Sequence, residues 1–220
     1  MTGALVFPDG ESLADLGTYV ARAKGLDPEG AIRLQAVGEV LAAWTCAVPG
    51  QGLMRSGTVL ALRTMPLAGD HRLDVTVPLA ALSDRFARRA ATGEAATSLP
   101  VPPTTVSPQW AGVTPPRGGW EPVGEVSAEA LLAAADAGIA EIAEGAPEGS
   151  GAAAVGMLRA QVWAREVAGP DGSATGAPAG AGLAAKVLGF ARPGDGQVAR
   201  IFRSGAWTRV TLPAGHVLTR

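Results

Sequence analysis

The chain is 220 residues and 22.1 kDa, with 47% hydrophobic and 17% charged residues and a formal net charge of −2. That is enough apolar material for a core and excludes wholesale disorder, while the single cysteine, Cys46, excludes a disulfide framework and a cysteine-built zinc site. Glycine (30) and proline (17) gather in particular stretches instead of repeating, so a collagen-like chain is excluded as well.

The N-terminal stretch has no basic run and turns acidic at Asp9 and Glu11, unlike a secretory signal. The apolar run Val40 to Val48 is far shorter than the roughly 20 residues of a membrane-spanning helix. A cytoplasmic protein without membrane contact is expected. Lysine is confined to Lys24 and Lys186 while arginine, alanine and glycine abound, a bias that GC-rich coding produces. Alanine adds little volume, so the core must lean on the few large side chains.

Glu11 to Lys24 reads as a first helix, with Leu13, Leu16 and Val20 in one stripe, Tyr19 beside it, and Gly25 as its stop. Ile32 to Ala36 alternates, and Val40 to Val48 is apolar with a β-favouring Trp44-Thr45-Cys46 centre. Gly38-Glu39 between them predicts a hairpin turn, which would set Arg33 opposite Trp44. Thr58 to Thr64 and Leu73 to Val77 are two further strands. Pro78 opens a helix whose stripe is Leu79, Leu82 and Phe86.

Residues 100–122 contain seven prolines: Pro100, Pro102, Pro103, Pro108, Pro115, Pro116 and Pro122. Neither a helix nor a central strand survives that density, so the segment is expected to run extended as a docked strap anchored by Trp110 and Trp120.

Ser127 to Glu144 is the clearest helix, capped by Ser127, with Glu129 in its first turn and Leu131, Leu132, Ala135, Ile139 and Ile142 inward; Gly145 and Pro147 end it. Residues 157–167 fit helix and strand alike, and the alanine-rich lead-in favours helix. Gly169 to Gly182 is expected to be a mobile loop, followed by a short helix at Leu183, Val187 and Phe190. Val198 to Phe202 and Trp207 to Leu212 form a hairpin turning at Ser204-Gly205.

Charge is divided unevenly. Residues 1–151 hold 10 Lys and Arg against 17 Asp and Glu, whereas residues 152–220 hold 8 against 3. The basic third, with Arg159, Arg165, Arg192, Arg200, Arg203, Arg209 and Arg220, either meets an anionic partner, packs on the acidic part, or is an ordinary solvated surface.

Chemistry-bearing constellations are few. The histidines are His71 and His216. Asp70, His71 and Asp74 fall in a predicted turn, where polar residues are expected without any metal, and no spacing supplies three or four ligands. Cys46 alternates with Trp44 and Val48 in an apolar strand and reads as an inert buried thiol. Gly180, Gly182 and Ala185 match a degenerate dinucleotide fingerprint, but no strand is expected before them. Arg85, Arg88 and Arg89 cluster near a helix C-terminus, which they would stabilise; phosphate binding is the minor reading. Three helices and a hairpin after residue 127 have the order of a winged helix-turn-helix, yet its third helix offers only Lys186 to bases.

Three stretches, Leu73-Asp-Val-Thr-Val-Pro-Leu-Ala-Ala-Leu-Ser-Asp-Arg-Phe, Pro115-Pro-Arg-Gly-Gly-Trp-Glu-Pro-Val-Gly-Glu and Gly215-His-Val-Leu-Thr-Arg, resemble a family of uncharacterised actinobacterial proteins. The resemblance spans most of the chain and implies an actinobacterial cytoplasmic origin. It implies no activity and carries over no catalytic residue.

The sequence therefore predicts an α+β fold: an antiparallel sheet with flanking helices over 1–95, the proline-rich strap over 96–123, and a helical region over 124–220 ending in a β-hairpin, either as separate regions or as one domain. No catalytic, cofactor or metal residues are assigned. The expected function is that of a non-enzymatic interaction or accessory protein, with Trp110, Trp120 and Trp207 meeting a protein partner and Arg200, Arg203 and Arg209 available to an anion. Nucleic-acid binding through the basic third, and an enzyme or small-ligand protein with an unrecognised site, are the alternatives; self-association is left open.

Overall fold

The computed structural model describes residues 3–52, 54–94, 96–146, 151–169 and 172–220. The chain is α+β and forms two compact units, Met1–Cys46 with Leu62–Val113, and Ala47–Ala61 with Thr114–Arg220.

The first unit contains β1 (Ala4–Val6), α1 (Gly10–Leu26), most of β2 (Ala31–Val48) and β3 (Val59–Pro78), α2 (Leu79–Thr92) and β4 (Ser98–Pro100). Asp9 caps α1 by accepting from the Ser12 amide at 2.7 Å. The stripe Leu13, Leu16, Tyr19, Val20 and Ala23 is buried, and the helix overruns Gly25 to end at Leu26. α2 starts directly after Pro78, buries Leu79 and Leu82, and stops at Gly93, whose φ of 64° suits a residue without Cβ. β1 and β4 pair antiparallel with buried Leu5 opposite buried Leu99.

The predicted hairpin at Gly38-Glu39 does not form. β2 is one strand of 18 residues, and Arg33 does not face Trp44 across a turn. Its inward side changes phase instead: Ile32, Leu34 and Ala36 are buried before Gly38, and Leu41, Ala43 and Thr45 after it. Gly38 has a φ of 62°, the conformation that inserts one extra residue into a strand as a bulge. A bulge and a turn both show in sequence as a glycine at a change of alternation. Likewise, the two strands expected over 58–64 and 73–77 are one, β3, which passes through Gly69 at φ 83°.

The first half of the strap is tied down by backbone hydrogen bonds. Val101 donates its amide to Gly3 O at 3.1 Å and Val106 to Thr76 O at 2.9 Å. Gln109–Gly112 forms one 3-10 turn, whose Ala111 carbonyl accepts from Arg33 Nη1 at 2.9 Å.

The second unit contains β5 (Glu121–Ser127), α3 (Ala128–Gly145), α4 (Ala152–Ala164), β6 (Glu166–Ala168), β7 (Ala174–Pro178), α5 (Ala179–Val187), β8 (Val198–Ser204), β9 (Trp207–Leu212) and β10 (Gly215–Thr219). Its sheet runs from the ends of β2 and β3 through β10, β9 and β8 to β5; the β10–β9, β9–β8 and β8–β5 pairs are antiparallel. Ser127 caps α3 as predicted, accepting from the Ala130 amide at 3.1 Å. Leu131, Leu132 and Ala135 are buried, but Ile139 is 42% exposed. The inward stripe passes over Gly138, which lies against the Trp163 ring and leaves no room for a side chain. Ile142 packs on the buried cluster of Val162, Trp163, Ala179 and Leu183. Pro147 lies outside the described residues.

Residues 157–167 are helical to Ala164 and then enter β6. The stretch expected to be a mobile loop holds β7 and the first turn of α5, with Pro170 and Asp171 outside the described residues. In α5 residues 179–185 are all buried, so this helix is not presented as a recognition helix. Gly180 and Gly182 are packing residues: a Cβ on the first would lie 2.8 Å from Val59 Cγ2, and one on the second would overlap Leu131 O. The predicted C-terminal hairpin forms one residue later than expected, with Ser204 opposite Trp207, and β10 adds a third strand.

Candidate functional site

The alternation of β8 and β9 gives the sheet of the second unit two unlike faces. Ala199, Ile201, Val210, Leu212 and Val217 are all buried on one of them. On the other, the strand register aligns Pro122, Phe202, Arg209 and Leu218 in one cross-strand row, and Glu125, Arg200, Thr211 and His216 in the next.

Arg209 occupies the centre of the first row. Its guanidinium carbon lies 4.7 Å from the Trp120 ring centroid and 4.5 Å from that of Phe202. Both distances are within the range of cation–π attraction. Trp120 is fixed there by donating from Nε1 to Pro116 O at 3.1 Å, and Ser204 Oγ holds the same segment through Gly118 O at 3.3 Å. Burial disfavours the charged form of Arg209, and its Nε is buried with no hydrogen-bond partner. The stacked rings thus hold a cation that is only partly hydrated.

Beside this stack is a groove of about 480 Å³ lined by Pro122, Gly124, Glu125, Arg200 and Phe202. β5 ends the sheet, and residues 121–125 of it are exposed. Arg200 stands directly across from Glu125, yet no ion pair joins them. Arg203 on the same strand is also exposed. Elsewhere in the basic third, Arg165 pairs with Glu141 and Lys186 with Asp136, so part of that charge is neutralised by α3. What is left over on β8 can meet an anionic group from outside, and the Phe202 ring and Pro122 can seat an apolar one.

His216 lies in the second row, its Nδ1 3.1 Å from Thr211 Oγ1. Burial first, and the positive charge of Arg209 second, hold its imidazole below the ordinary histidine range.

The structure separates the three tryptophans assigned to a partner. Trp120 is half-buried over Arg209, and Trp110 is half-buried in the first unit. Trp207 stands opposite Ser204 and is only 5% exposed. The Asp70, His71 and Asp74 group is not a cluster. His71 lies 3.1 Å from Ala68 O through Nε2, while Asp74 accepts from Arg33 Nε and Nη2 and from Gln35 Nε2. Among the described residues, no three His, Cys, Asp or Glu side chains gather where one metal ion could be held. Cys46 is half-buried on β2.

Sequence reasoning found Arg200 and Arg209 but missed Phe202, Pro122 and Glu125. Their signal was register: shifting the predicted turn by one residue makes Phe202 the cross-strand partner of Arg209.

Residues 1–112 match the family described as Domain of unknown function (DUF8010), and residues 115–220 the family described as Domain of unknown function (DUF8185). No match is found among curated proteins. Among solved structures, the chain is similar to a crystal structure described as a "Putative DNA polymerase III beta subunit" from Eubacterium rectale ATCC 33656, with a TM-score of 0.54 and 10% sequence identity. The likeness covers 99% of this chain and 64% of that one, so the chain spans less than two thirds of its length. At that identity the likeness is one of fold.

Proposed function

We propose that this chain, which belongs to the family of the domain of unknown function DUF8010, works by binding a protein partner on the outer sheet face of its second unit. The observation that carries this reading is the Arg209 guanidinium held between the Trp120 and Phe202 rings beside the groove of Pro122, Gly124, Glu125 and Arg200. Aromatic and arginine side chains dominate protein interfaces because they combine apolar area with directed charge. The exposed β5 strand supplies backbone along the same groove. The test is crosslinked affinity isolation from the native host with the wild type, Phe202→Ala, Arg200→Glu, and Met157→Ser as a control at an exposed position of α4. A specific partner retained by wild type and control should fall about tenfold with either groove variant. The same proteins recovered equally with all four would overturn the reading.

A second reading is nucleic-acid binding on this face. It is favoured by Arg200, exposed and without an ion pair among the described residues, next to rings on which bases can stack. The solved relative's description names a DNA polymerase subunit, which lends this reading some support. Retention on single-stranded DNA that falls steeply with salt supports it, and no retention at low salt discards it.

A further inference from the structure

We propose that Arg85 and Arg88 of α2, with Thr104 of the strap, form a binding site for a small phosphate-bearing anion in the first unit. The helical spacing places Ala81, Asp84, Arg85 and Arg88 on one side of α2. Pro102, Pro103 and Thr104 run opposite them, and the two sides enclose a cavity of about 270 Å³. That volume suits a phosphate with a small organic group attached and is too small for a folded domain.

The three arginines of this helix differ in what they do. Arg89 is fully engaged: Nη1 donates to Ser98 O at 3.0 Å, Nη2 donates to Glu94 O and Ala96 O, and the guanidinium pairs with the Glu94 carboxylate. It fastens the segment between α2 and β4, and Arg89 accounts for the structural use of this basic cluster. Arg85 and Arg88 have no ion pair among the described residues, and both open on the cavity. Asp84, also in the lining, does not pair with Arg88 four residues on.

The two prolines of the facing wall have no N–H to give an anion, so the donors of the site are the two guanidinium groups with the hydroxyl and backbone N–H of Thr104. Two planar forks one turn apart match the several oxygens of a phosphate better than the two of a carboxylate. The single Asp84 carboxylate leaves the lining with net positive charge while repelling an anion bound beside it.

The experiment is calorimetric and NMR titration of the full chain with inorganic phosphate, with acetate as the carboxylate control and a short DNA single strand as the polymeric one. Phosphate should bind, acetate should bind more weakly, and R85Q/R88Q should weaken phosphate about tenfold or more. D84N should tighten it, T104V should weaken it, and R200Q, in the other unit, should leave it unchanged. Absence of phosphate binding by the wild type, equal binding by R85Q/R88Q, or weaker binding by D84N would overturn the proposal. So would DNA held through Arg85 and Arg88 that inorganic phosphate fails to displace, since the site would then read a polymer. D84N and T104V carry the test should the double variant not fold. The R200Q control separates this site from the partner surface of the second unit, so either can fail alone.

Discussion

Gly182 of α5 lies so close to Leu131 of α3 that a methyl group at position 182 would overlap the Leu131 carbonyl oxygen. The obstacle is backbone inside a helix, which cannot rotate away as a side chain can. Gly182→Ala should therefore push the helices apart and destabilise the second unit by about 3 kcal/mol, the upper end of overpacking costs. Gly156 of α4 makes the opposite case. A Cβ there meets only Gln51 Nε2, at an ordinary 3.7 Å. Gly156→Ala should stabilise by about 0.5–1 kcal/mol through lost unfolded-state entropy. Thermal unfolding of both variants checks the pair, and a neutral Gly182→Ala would show that α5 is not clamped as described.

Tyr19 is buried, and its hydroxyl lies 2.9 Å from Thr45 Oγ1, also buried. Burial pushes the phenol well above its ordinary pKa range, so it stays neutral. Tyr19→Phe removes the partner of a buried hydroxyl and should cost about 1–2 kcal/mol. Thr45→Val in that background should recover part of the loss, because both polar groups are then gone. A double-mutant cycle by denaturant unfolding reads the coupling.

These two contacts also mark what a sequence can disclose. The stripe that buries Tyr19 and the Ser127 cap of α3 were legible, because each depends on neighbours in sequence: helical spacing, and a hydroxyl before an amide. Gly180 and Gly182 were legible only as a weak nucleotide fingerprint, since nothing local says that another helix passes over them. Gly38 shows the same limit in a strand. The change of alternation was visible, but whether the chain turns back or bulges depends on β3, which follows it in the chain. The candidate site was half legible for the same reason. Arg209 and Arg200 stood out as charges, while Phe202 became a partner only through a hairpin register that one residue decides.

Arg33 and Asp74 form a two-pronged ion pair, with Nε to Oδ1 and Nη2 to Oδ2 both at 2.8 Å, and Arg33 Nη1 also holds the Ala111 carbonyl of the strap. Half of Asp74 is exposed, so solvent screens the pair and the expected cost of Asp74→Asn is modest, about 1 kcal/mol. The larger effect should be local. With the guanidinium no longer fixed, the 109–112 turn loses its tether, and limited proteolysis should cut the strap faster in Asp74→Ala than in wild type. Equal cleavage rates would place the strap's anchorage elsewhere, on the Val101 and Val106 amides.

His216 makes stability depend on pH in a direction that can be worked out. Burial and Arg209 lower its folded pKa below the 6.5 of a free imidazole, so between those two values the unfolded chain binds the proton more readily than the folded one. Stability from the neutral ring is thus fully present above about pH 6.5 and is lost as pH falls through the folded pKa. The melting temperature should rise from pH 5 to pH 7 in the wild type, and His216→Gln should flatten that rise while leaving the value at pH 7.5 nearly unchanged. Arg209→Gln should flatten part of it too, because it removes the second of the two causes but leaves the first. A wild-type curve that falls over this range would mean that the imidazole is stabilised as a cation, contrary to its position beside Arg209.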